Sequence, residues 1–110
     1  MILGHGFDHN FALNGTGMRP AAWLYAESSG IAMTLSTTQP GMQIYTANQM
    51  KHMKGKNSAA YDKRCAVALE AQGFPNAVNC PAFPSVILKA GQEYHQVIEY
   101  AFSVWYIDKN

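Results

Sequence analysis

At 110 residues the chain has room for one domain with a modest core, and 48% apolar against 14% charged residues excludes an intrinsically disordered segment. Eight Lys and Arg against seven Asp and Glu leave a formal charge of +1, so no global field draws the chain to nucleic acid or to an anionic membrane. Two cysteines, Cys65 and Cys80, have neither metal-ligand spacing nor enough members for a disulfide framework. They are expected to be buried free thiols in a reducing compartment.

The first residues carry His5 and Asp8, unlike a secretory leader. The longest apolar run, residues 97–107, is interrupted by Glu99 and is too short to cross a bilayer. A cytoplasmic protein with no membrane partner is expected.

Turn signals recur at short intervals: Asn14-Gly15, Glu27-Ser28-Ser29-Gly30, Gln39-Pro40-Gly41, Pro75-Asn76 and Ala90-Gly91. Short stretches with period-two patterning lie between them, the pattern of an all-β chain. Residues 22–26 place Trp23 and Tyr25 on one side, and residues 31–36 alternate Ile31, Met33 and Leu35 with Ala32, Thr34 and Ser36. The four turn residues between these stretches predict a hairpin. Residues 42–46 set Met42 and Ile44 against Gln43 and Tyr45.

Residues 50–56, MKHMKGK, form a basic patch that reads as a solvated loop, because no basic stripe elsewhere extends it into a nucleic-acid surface. Residues 58–64 read as loop or a short helix. Residues 65–72 are expected to form a strand, with Cys65, Val67 and Leu69 on an apolar face and Ala66, Ala68, Glu70 and Gln72 on the other. Three prolines in residues 73–85 exclude a helix there. Residues 86–89 and 94–104 complete the predicted strands, the last alternating Tyr94, Ile98, Tyr100, Phe102 and Val104 with His95, Val97, Glu99 and Ser103.

Glu70 is the only charged residue between Arg64 and Lys89. A carboxylate next to a core costs several kcal/mol unless it is paired, so Glu70 either faces solvent or is held for a purpose. It is a candidate general base. Asp8 and His9 form an adjacent polar pair that could equally be a turn or a cap, and Gln43 is a strand amide that could equally face solvent. Periodicity alone does not connect them. No metal site is apparent.

Four blocks do. GFDHNFALNGTG (residues 6–17) resembles the Gly-Tyr-Asp-His-Asn-Phe segment of the aldose 1-epimerases, the galactose mutarotases. TTQPGMQIYTAN (37–48) is similar to their Thr-Glu-Pro-Gly-x-Gln-Phe-Tyr-Thr-Gly-Asn segment. LEAQGFPNAVNCPAFPS (69–85) resembles Leu-Glu-Thr-Gln-x-Phe-Pro-Asp followed by Asn-His-Pro-x-Phe-Pro. LKAGQEY (88–94) is similar to Leu-x-Pro-Gly-x-x-Tyr. The order is that of the family and the blocks span nearly the whole chain.

The resemblance implies an antiparallel β-sandwich, here a partial one: residues 1–110 as a single domain resembling the C-terminal third of such an enzyme. It implies interconversion of the α and β anomers of a free hexose such as glucose or galactose, without cofactor. Glu70 inherits the role of general base, and Asp8 and Gln43 inherit contacts to sugar hydroxyls. They are expected to converge on a concave surface lined by aromatic residues, with Phe74 and Phe83 the candidates. His9 is not the family's acid. Phe7 stands where the family commonly has Tyr, Ala47 where it has Gly, Cys80 where it often has His, and Gly73 where it has a bulkier residue.

The family's acid histidine, a second sugar-binding histidine and an arginine belong to the portion that precedes the matching third, and none of His5, His9, His52 or His95 fits their motifs. Half an active site is therefore expected, on a truncated, split or fragmentary chain completed by self-association or by a companion chain. Two alternatives stand beside it. One is a carbohydrate-binding β-sandwich module without chemistry. The other is a hexose-phosphate epimerase in which Lys51, Lys54 and Lys56 grip a phosphate.

Overall fold

The computed structural model describes residues 6–105, so His5 and Ile107 lie outside the described residues. The fold is all-β and antiparallel, a partial β-sandwich of two three-stranded sheets with a small third hairpin. Among the described residues there is no α-helix, and no helix is long and apolar enough to cross a membrane.

The first sheet is built from β1 (Asp8–Ala12), β4 (Gly41–Tyr45) and β7 (Ala68–Gln72), in the order β1-β4-β7. The second is built from β2 (Arg19–Ala26), β3 (Ile31–Thr37) and β8 (Ile98–Val104), in that order. Each sheet contributes one large apolar side chain fully excluded from water, Leu35 on β3 and Met42 on β4. The predicted hairpin is β2–β3, closed by Gly30 N–H donating to Ala26 O at 2.8 Å. Gly30 adopts φ +71°, and a Cβ there would meet Trp105 O at 2.5 Å, so glycine is needed both for the turn and for the passage of the chain after β8.

Several elements differ from expectation. Residues 8–12 form a strand rather than a turn or cap, with His9 and Phe11 on one face and Asp8 and Asn10 on the other. The basic stretch is no plain loop: β5 (Met53–Lys54) pairs with β6 (Ala60–Tyr61) around a 3-10 turn, Lys56–Ser58. Gly55 permits this, since a Cβ there would lie 2.3 Å from the Tyr61 ring. His52 Nδ1 sits 3.0 Å from Asp62 Oδ1 beside the hairpin.

The strand expected over residues 65–72 begins only at Ala68; of the two placements open to Glu70, the exposed one is found. Cys65 precedes that strand and is exposed, and Cys80 is half-buried; both thiols are free, but neither is buried. Residues 86–89 join no ladder, because Lys89 bonds a turn with Gln92 through both its N–H and its carbonyl. The last strand starts at Ile98 rather than residue 94. Val97 is held from the side instead: its N–H donates to Thr38 Oγ1 at 3.0 Å, and its carbonyl accepts from Thr37 Oγ1 at 2.9 Å. Every residue of β8 is exposed.

Candidate active site

The three residues singled out in the sequence come from the three strands of the first sheet. Register places Asn10, Gln43 and Glu70 in one row across β1, β4 and β7. The row on one side holds Asp8, Tyr45 and Ala68, and the row on the other holds Ala12, Gly41 and Gln72. Side chains two residues apart share a face, so Asp8, Asn10, Gln43, Glu70 and Gln72 all project from the same side. The opposite side carries His9, Phe11, Met42, Ile44, Leu69 and Ala71, the apolar half of the alternation.

Hydrogen bonds organise the polar face. Gln43 Nε2 donates to Asp8 Oδ1 at 2.8 Å. Gln72 Nε2 donates to Asn10 Oδ1 at 3.2 Å and to Gln43 Oε1 at 3.4 Å. Among the described residues no hydrogen bond or ion pair occupies the Glu70 carboxylate. It stands free beside Gln43, open to a ligand.

The Asp8 end is fixed from behind. Phe7 N–H donates to Thr46 Oγ1 at 2.8 Å, and Asn48 Nδ2 donates to Phe7 O at 2.7 Å. Beyond it opens a cleft of about 690 Å³ lined by Asp8, His9, Asn48, Lys51 and Lys63, among others. Gln43 and Glu70 do not line that cleft; they lie on the open sheet beside it. Lys54 and Lys56, grouped with Lys51 in the sequence, sit on the β5–β6 hairpin away from the cleft, while Lys63 takes a place there. His9 points off the polar face; its Nδ1 accepts from Asp8 N–H at 3.1 Å.

At the other end Phe74 and Phe83 pack edge to face with centroids 5.2 Å apart. A methyl built on Gly41 would come within 2.9 Å of Phe74 Cδ1 and 2.8 Å of Asn10 Oδ1, so Phe74 closes over the Gly41 row of the polar face. Described residues form no cluster of three or more His, Cys, Asp or Glu that could hold a metal ion.

Sequence reasoning placed Gln72 on the face of Glu70 but did not give it a role, and it missed Asn10, which required reading residues 8–12 as a strand.

The aldose 1-epimerase family model matches residues 2–101, and the chain is a member of that family. It is 44% identical over 102 residues to the galactose mutarotase of Homo sapiens, which covers 91% of this chain and 30% of the relative. The figure for the Bos taurus galactose mutarotase is 45% over 102 residues. The aldose 1-epimerase of Escherichia coli (strain K12) is 30% identical over 101 residues, 88% of this chain and 29% of the relative. The chain thus spans about 30% of the length of the curated relatives it matches.

Proposed function

We propose that this chain, as a single domain, carries the base-bearing part of a mutarotase site and acts on a free hexose together with a companion segment. The observation that supports this most is the convergence of Asp8, Gln43 and Glu70 from three adjacent strands onto one polar face. Glu70, exposed on that face, takes the proton of the anomeric hydroxyl. As the C1–O1 double bond forms, the C1–O5 bond breaks, and O5 takes a proton from a general acid on the companion segment. Rotation about C1–C2 turns the other face of the aldehyde to O5. Closure reverses both proton transfers and yields the other anomer. Asp8 accepts from sugar hydroxyls, and the second N–H of Gln43 Nε2 donates to one, holding the ring over the sheet while Phe74 limits it at one end.

A companion is part of the proposal for a physical reason. The apolar side chains of β8 are uncovered, Phe102 70% and Val104 54% exposed, on an edge strand whose outer backbone groups have no ladder partner among the described residues. We place the chain in the cytoplasm, where an exposed free Cys65 stays reduced. A phosphorylated hexose is the second reading, supported by Lys51 and Lys63 in the cleft beside Asp8.

Polarimetry on α-D-glucose, α-D-galactose and α-D-glucose 6-phosphate tests these readings. The chain is assayed alone and mixed with the part of a galactose mutarotase relative that lies outside the match. Catalysis of the free hexoses in the mixture is expected, with the chain alone near the spontaneous rate. Preference for the phosphate ester would favour the second reading. Sugar binding without any rate in the mixture would leave a carbohydrate-binding module.

A further inference from the structure

We propose that Gln72 is a positioning residue of this face: it bridges β7 to β1 over Gly41 and locks the Gln43 amide with its N–H₂ end toward Asp8. What Gln43 is held for rests on the mutarotase reading; the lock itself rests on geometry.

Adjacent strands lie about 4.8 Å apart, so β1 and β7 are about 10 Å apart with β4 between them. A side chain on β7 reaches one on β1 only by passing over β4. Gln72 is paired with Gly41, and Gly41 with Ala12, so the central residue of that row has no side chain and its outer neighbour has a methyl group. The vacant space is used: a Cβ on Gly41 would come within 2.8 Å of Asn10 Oδ1, the acceptor of the Gln72 bond.

Gln72 Nε2 has two hydrogens and two acceptors, Asn10 Oδ1 and Gln43 Oε1. With both committed, its amide orientation is set. Gln43 then receives a donor at Oε1 and gives one to Asp8 Oδ1 at 2.8 Å, so both ends of its amide are fixed. One Gln43 N–H remains for a ligand. A bound sugar competes for Asp8, and at that moment the Gln72 bond is what keeps Gln43 from turning. Gln72 itself is half-buried, and its amide bonds go to Asn10 and Gln43 rather than to Glu70, so its role runs through Gln43.

The test uses the full chain labelled with ¹⁵N. Gln72→Leu keeps the bulk and removes both donors; Asn10→Ala removes only one of the two acceptors. In the unliganded chain Gln72→Leu is expected to move the Gln43 side-chain N–H₂ signals while the β4 backbone amides stay in place, and Asn10→Ala to move them less. Titration of the labelled chain, mixed with the complementary part of a galactose mutarotase, with α-D-galactose is expected to show affinity weakened about 2- to 12-fold in Gln72→Leu, the range of one net hydrogen bond. Glu99→Gln, on β8 of the other sheet, should by contrast leave the Gln43 signals of the unliganded chain unmoved. Unchanged Gln43 signals in Gln72→Leu overturn the lock, and moved signals with unchanged galactose affinity overturn its role in binding. If the unsubstituted chain mixed with the complementary part of a galactose mutarotase binds no hexose, the mutarotase reading fails, and the amide signals still decide whether Gln72 holds Gln43.

Discussion

Gln43 stands directly opposite Glu70 on the β4–β7 ladder, so an amide and a carboxylate leave the same face of the sheet with their Cβ atoms about 5 Å apart. Gln43 is tied down at both ends, whereas no bond among the described residues ties Glu70. One holds and the other is free to accept a proton. Substitutions that disturb the platform should therefore be separable from those that remove the base.

Gly41 is the pivot of the platform. Gly41→Ala places a methyl within 2.8 Å of Asn10 Oδ1, 2.9 Å of Phe74 Cδ1 and 3.1 Å of the Gln72 carbonyl oxygen. Overpacking of this kind costs about 1–3 kcal/mol, and a urea titration should show the midpoint lowered accordingly. A midpoint equal to that of the unsubstituted chain would mean that the Gly41 row has slack.

Ala47 gives the opposite sign. It is buried at 2% exposure with φ +53°, a left-handed conformation that a Cβ disfavours, and it occupies a position where the family has glycine. Its carbonyl accepts from Arg64 N–H at 3.1 Å, which holds it there. Ala47→Gly should stabilise the chain by about 1 kcal/mol, with the rise in the urea midpoint as the measure.

Assembly should depend on β8. Leu35, fully buried on the neighbouring strand, belongs to the core of the isolated chain, and Leu35→Ala should cost about 2–5 kcal/mol in any state. Phe102 is 70% exposed. Light scattering at micromolar concentration should report a dimer or larger species, and Phe102→Asp should shift it toward monomer without unfolding it. A monomer before substitution would contradict this.

The sequence carried most of the strands because alternation survives wherever one face is covered. The β2–β3 hairpin and β4 were legible for that reason, with a four-residue turn and a Pro-Gly break as punctuation. What stayed hidden depended on partners that are distant in the chain. Residues 8–12 looked like a cap until β4, about 30 residues on, supplied their ladder. The start of β8 is set by Thr37 and Thr38, whose side chains capture Val97 from 59 and 60 residues away. Of the face itself, Glu70 and Gln43 were legible through local blocks, whereas Gln72 and Asn10 gain their meaning from a bridge over a glycine on a third strand. No local pattern encodes that contact.

The central claim is that Glu70 is the base of a mutarotase site, and the most direct measurement is the polarimetric rate of α-D-galactose mutarotation by this chain mixed with the complementary part of a galactose mutarotase. Glu70→Gln is compared with Glu99→Gln, which removes a carboxylate from β8 on the other sheet. The prediction is a loss of about 10²–10⁴-fold in the catalysed rate for Glu70→Gln, the usual worth of a positioned base, with Glu99→Gln at the unsubstituted rate. A catalysed rate that survives Glu70→Gln unchanged would contradict the claim.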